Sequence, residues 1–89
     1  ANMGAYIVDQ FKQQLADQNV TVRGFGLMIG IELPKACPEL VDVARDEYKL
    51  IINVTAGSVI RLLPALNIDK AQADQLVERI VKMVKAFLA

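Results

Sequence analysis

Eighty-nine residues carry ten basic and ten acidic side chains, a formal net charge of zero, and 54% of them are hydrophobic. A chain this short makes one domain at most, and its balanced charge leaves no footprint for nucleic acid or an anionic membrane surface. With no histidine and a single cysteine, Cys37, an internal disulfide and a structural zinc site are excluded, and a reducing cytoplasm is the natural compartment.

The longest apolar runs fall far short of the roughly 20 residues that a membrane span needs. The apolar fraction is nevertheless high for so small a domain. Part of its surface is therefore expected to meet another protein surface, either a second copy or the rest of a larger chain. The opening "ANMGAYIVDQF" is already helical in pattern and has no initiator Met, which favours the larger chain.

Residues 3–17 place Met3, Ile7, Val8, Phe11 and Leu15 at helical spacing, with Asp9, Lys12, Gln13 and Asp17 opposite. "VTVRG" (20–24) predicts a short strand. Gly24 and Gly26 flank Phe25 and point to a bulge or tight bend rather than two independent strands. "LMIGIEL" (27–33) alternates, with Leu27, Ile29, Ile31 and Leu33 on one face and Met28, Gly30 and Glu32 on the other. Pro34 ends that strand. Pro38 suits the first turn of a second helix reaching about Lys49, with Leu40, Val41, Ala44 and Tyr48 inward. "LIINV" (50–54) and "VIRLLP" (59–64) predict two further strands, joined by the turn "TAGS". Asp69 and Gln72 fit a capping box that opens the last helix. Its stripe runs through Leu76, Val77, Ile80, Val81, Val84, Phe87 and Leu88, and Lys82 and Lys85 complement the helix dipole. The order α, β, β, α, β, β, α defines an α+β fold, a small antiparallel-type sheet of three to four strands with about three helices packed mainly on one face.

Few residues carry candidate chemistry. "GFGLMIG" spaces its glycines as G-x-G-x-x-x-G and leads into a strand, so it is not a dinucleotide fingerprint. Cys37 precedes Pro38 at a helix start, where a thiolate gains from the dipole, but no histidine exists to activate it. Asp42, Asp46 and Glu47 share a helix with Arg45 and Lys49 and read as a solvated charged face. Glu32 reads as a boundary carboxylate paired to a neighbouring base. Arg61 lies inside the apolar run "VTAGSVIRLLPAL" (54–66), in strand phase with Val59 and Leu63. Two readings stay open on pattern alone. One is an edge-strand arginine that snorkels to water or pairs with a local carboxylate. The other is a ligand clamp, since guanidinium presents a rigid fork of donors that matches a carboxylate in two parallel hydrogen bonds.

Two motifs together bear on that choice. "VRGFGLMIGIEL" (22–33) and "NVTAGSVIRLLPAL" (53–66) resemble the C-terminal small domain of class III, pyridoxal-phosphate-dependent aminotransferases, nearest to the acetylornithine and succinylornithine group. The resemblance covers essentially residues 1–89 and departs from the usual R-L-L-P-P-L at Ala65. It implies the small domain of a fold-type I enzyme that moves an amino group from N-acetylornithine, or a close relative, to 2-oxoglutarate in arginine metabolism. It further implies a cytoplasmic homodimer whose active site lies at the subunit interface. The arginine of the "VIR" motif, here Arg61, would receive the substrate α-carboxylate. Pyridoxal 5'-phosphate and its Schiff-base lysine would belong to a large domain absent from these 89 residues, which alone would bind no cofactor or metal and carry no catalytic residue. None of Lys12, Lys35, Lys49, Lys70, Lys82 and Lys85 falls within the Arg61 motif. A free-standing α+β ligand-binding or protein-interaction module is the alternative.

Overall fold

Seven elements follow one another in the expected order in the computed structural model, which describes residues 3–25, 28–64 and 67–89. They are α1 (Met3–Gln14), β1 (Thr21–Phe25), β2 (Met28–Glu32), α2 (Leu40–Glu47), β3 (Asn53–Thr55), β4 (Val59–Leu62) and α3 (Lys70–Leu88). The strands form one antiparallel sheet in the order β1-β2-β4-β3. β4 is therefore an interior strand, between β2 and β3.

Period-two alternation separates the two sides of the sheet. Val22, Ile29, Ile31, Ile60 and Leu62 are buried, whereas Thr21, Arg23, Glu32 and Arg61 are exposed. The buried side meets α1 and α3, which pack on each other. Ile7 and Phe11 of α1 and Val77, Ile80 and Val84 of α3 are almost fully buried there. Gly24 lies on this side, where α1 comes close: a Cβ on Gly24 would sit 3.4 Å from Cγ2 of Val8. α2 packs at the β3 end through Leu40 and Ala44. Among the described residues no helix lies on the other side of the sheet, in keeping with the expected packing mainly on one face.

Some boundaries and one buried stripe differ from the periodic reading. β1 and β2 are two full strands, paired from Thr21↔Glu32 to Phe25↔Met28 without a slip, so Gly24 is not a bulge inside one strand. Gly26 and Leu27, which join them, lie outside the described residues, as does Ala65. β3 begins at Asn53 and not at Leu50. Lys49 adopts a left-handed φ of 58°, and the Leu50 N–H returns to the Ala44 carbonyl at 2.9 Å. That closure of α2 consumes residues 48–50, leaving Ile51 exposed at 87% and Ile52 buried at 7%. In α3 the buried stripe also takes Ala73 and Met83, while Leu76, Phe87 and Leu88 are half-buried.

Candidate functional site

The β3–β4 turn fixes where Arg61 sits. Ala56 and Gly57 take successive positive φ values of 53° and 79°, and only at Gly57 is that conformation free of a Cβ penalty. Two backbone bonds fasten this turn to the segment after β2: Leu33 N–H donates to the Ser58 carbonyl at 2.9 Å, and Cys37 N–H to the Gly57 carbonyl at 2.7 Å. β4 is thereby locked against β2 in the register Gly30↔Arg61 and Glu32↔Val59. Asn53 lies across from Arg61 on the other side.

On the helix-free face, Arg23, Gly30, Arg61 and Asn53 form one row across the four strands. Gly30 contributes no side chain, so the row has a gap at its centre. A shallow concavity of about 150 Å³ opens there, lined by Thr21, Arg23, Gly30, Glu32, Val59 and Arg61. The Arg61 side chain leans along β2, placing Nη1 3.6 Å from the Met28 sulfur. Met28 and Glu32 lie on opposite sides of Gly30 along the strand, so Arg61 points away from Glu32. No carboxylate oxygen lies within 4.0 Å of either Arg23 or Arg61 among the described residues, and Glu32 forms no ion pair there.

These positions alter three expectations. Arg61 is not an edge-strand residue and has no carboxylate within 4.0 Å among the described residues, because β4 is central and Glu32 lies along β2 on the side of Gly30 away from the lean of Arg61. Nor does this chain enclose its guanidinium. Arg61 is exposed, Val59 is half-buried and Leu63 is 68% exposed, because no described element covers this side of the sheet. The expected ion pair of Glu32 is likewise not made. Arg23 was not singled out by its spacing. A two-residue connection after Phe25 would have placed it across from Gly30, but that length is not readable from "GFGLM".

The remaining candidates behave as ordinary structure. Cys37 is fully buried, and burial followed by the nearby Glu39 carboxylate pushes its thiol up, the opposite of an activated nucleophile. Arg45 binds Asp42 at 3.1 Å and Asp46 at 2.9 Å on the exposed side of α2. Lys70 pairs with Asp74 at 3.0 Å, and that hydrogen bond, followed by the nearby Tyr6, pushes its pKa up. Lys35 rests over the Phe87 ring, 4.6 Å from its centroid. No lysine lines the concavity. Among the described residues no cluster of His, Cys, Asp and Glu fits a metal ion, and no helix is long and apolar enough to cross a membrane.

A one-sided α+β sheet with a charged open face narrows the class, and comparison with known proteins specifies it. The aminotransferase class-III family profile matches residues 1–84. The acetylornithine aminotransferase of Nitrosomonas europaea is 44% identical over 88 residues, covering 97% of this chain and 22% of that protein. Its counterpart in Methanosarcina mazei is 45% identical over 76 residues, covering 85% and 19%. An ornithine aminotransferase from Plasmodium yoelii superposes with a TM-score of 0.82 at 35% identity, covering 96% of this chain and 24% of that one. An acetylornithine aminotransferase from Elizabethkingia anophelis gives 0.81 at 26% identity, with the same coverage. The chain belongs to the class III aminotransferase family. It spans about a fifth of the length of the curated relatives it matches.

Proposed function

We propose that these 89 residues are the C-terminal small domain of a cytoplasmic, homodimeric aminotransferase that moves an amino group from N-acetylornithine, or a close relative, to 2-oxoglutarate. In that enzyme Arg61 receives the substrate α-carboxylate. One observation carries the reading: Arg61 stands on the uncovered face of an interior strand with no carboxylate of its own. Two further facts support it, the identity to acetylornithine aminotransferases and the small share of those proteins that this chain covers.

Family membership implies pyridoxal phosphate, and the residues here do not fit it. Its attachment needs an amine with a lowered pKa inside a site. Lys70 is held protonated by Asp74, Lys35 packs on Phe87, and Lys12, Lys49, Lys82 and Lys85 are exposed away from the concavity. Cofactor chemistry is therefore assigned to the rest of the protein, and the part left to this chain is orientation. In glutamate the α-carboxylate is attached to the carbon that carries the departing amino group. A bidentate hold on that carboxylate fixes the direction of the reacting C–N bond. When the rest of the protein covers the open face, water is excluded and the pairing strengthens.

The experiment is a donor comparison on the full-length protein with 2-oxoglutarate as acceptor, reading glutamate formed. N-Acetylornithine is expected to give the highest kcat/KM among N-acetylornithine, N-succinylornithine, ornithine and 4-aminobutyrate. Equal or better turnover of ornithine or 4-aminobutyrate contradicts the proposed donor, and no glutamate with any of them contradicts the reaction.

A further inference from the structure

The Arg61 guanidinium is an exposed, long side chain, yet it is not extended freely into solvent. Directly opposite it in β2 stands Gly30, which offers nothing to rest on. Two residues back along the same face stands Met28, half-buried, with its sulfur 3.6 Å from Nη1. We propose that Met28 is the positioning residue for Arg61: its thioether forms a polarizable shelf and weak acceptor that draws the fork toward the β1–β2 end of the sheet, away from Glu32. The inference rests on the reading of Arg61 as the carboxylate receiver.

Three physical arguments favour this. An arginine loses much rotamer freedom when it binds a carboxylate in bidentate geometry, and a side chain already held in place loses less. Methionine is suited to the role, because its unbranched, polarizable end follows the guanidinium without competing for its charge. A carboxylate on the shelf would neutralise the fork and oppose the substrate. The only carboxylate on this face of β2 is Glu32, at the far side of Gly30, and the lean toward Met28 keeps Arg61 apart from it. Gly30 completes the arrangement by leaving the gap across which the side chain swings.

The test uses the full-length enzyme and two amino donors that differ only in the α-carboxylate, glutamate and 4-aminobutyrate, each with a 2-oxo acid other than 2-oxoglutarate as the amino acceptor. Met28→Ala is expected to lower kcat/KM for glutamate about tenfold, as misdirected binding groups typically do, and to change 4-aminobutyrate by less than about twofold. In an Arg61→Ala background the same substitution is expected to add nothing, because residues acting through one contact are not additive. Met28→Leu conserves volume and loses only the acceptor. A smaller fall of about threefold, again confined to glutamate, is expected and carries the test if the alanine variant does not fold. Equal losses with both donors, no loss with either, or a full further loss in the Arg61→Ala background overturns the positioning role. If Arg61→Ala itself leaves glutamate turnover unchanged, the reading of Arg61 fails first.

Discussion

Tyr6 and Asp74 illustrate how a single contact joins elements distant in sequence. The Tyr6 hydroxyl donates to Asp74 Oδ1 at 2.5 Å, and Lys70 binds the other carboxylate oxygen at 3.0 Å while lying over the Tyr6 ring, 5.4 Å from its centroid. The hydroxyl bond, then the lysine, holds the Asp74 carboxyl below its usual range. A depressed pKa stabilises the fold above the unfolded value of about 3.9, and that contribution is lost as pH falls through the lower folded value. Tyr6→Phe is expected to raise the Asp74 titration midpoint, read by carboxyl NMR, and to make acid unfolding begin at higher pH. A midpoint that stays put or falls would mean that Lys70 alone sets it. No sequence pattern foretold this contact, since Tyr6 and Asp74 stand 68 residues apart and each fits an ordinary half-exposed helix position. Arg61 was legible for the opposite reason: a permanent charge inside an apolar run is conspicuous without any structure. Its surroundings were not legible, because the register that sets Gly30 opposite and Met28 beside it depends on long-range strand pairing.

Elements whose limits are set by local chemistry agree best with their spacing. The start of α3 is the clearest case. Asp69 is extended (φ −90°, ψ 175°), its carboxylate accepts from Gln72 N–H at 2.7 Å, and the Gln72 side chain accepts from Asp69 N–H at 3.1 Å. Asp69→Ala is expected to lower stability by about 1 kcal/mol through loss of this reciprocal cap, measured as a lower urea midpoint with an unchanged m-value. An unchanged midpoint would show that packing of Val77, Ile80 and Val84, rather than the cap, defines the helix start. The third strand shows the limit of spacing. "LIINV" is apolar throughout and reads as five strand residues, but the left-handed Lys49 and the Leu50 return to Ala44 spend its first part on ending α2. The periodic signal cannot register a non-glycine residue at positive φ. The first hairpin shows the same limit, since two glycines around Phe25 suit both a bulge and a reversal.

At the scale of the molecule, the sheet is finished on one side only. α1 and α3 bury the apolar side, while the other presents Arg23, Glu32 and Arg61 with the exposed Leu63 in phase with Arg61, and Ile51 is exposed between α2 and β3. The high apolar content predicts a surface that meets a partner, and a family match in which this chain covers about a fifth of its relatives is consistent with a larger protein as that partner. The central claim is that Arg61 grips the carboxylate next to the reacting carbon once this face is covered. Truncating one member of a buried, hydrogen-bonded charge pair typically costs about 2–5 kcal/mol, or roughly 30-fold to a few thousand-fold in kcat/KM. The direct measurement is steady-state kinetics of the full-length protein and its Arg61→Ala variant with glutamate and with 4-aminobutyrate, which lacks only the α-carboxylate, as donors to a 2-oxo acid other than 2-oxoglutarate. Glutamate turnover is expected to fall by that factor while 4-aminobutyrate stays within about twofold, and Arg61→Lys is expected to restore glutamate only in part. Near-normal kcat/KM for glutamate in a folded Arg61→Ala enzyme, or an equal loss with both donors, would contradict the assignment.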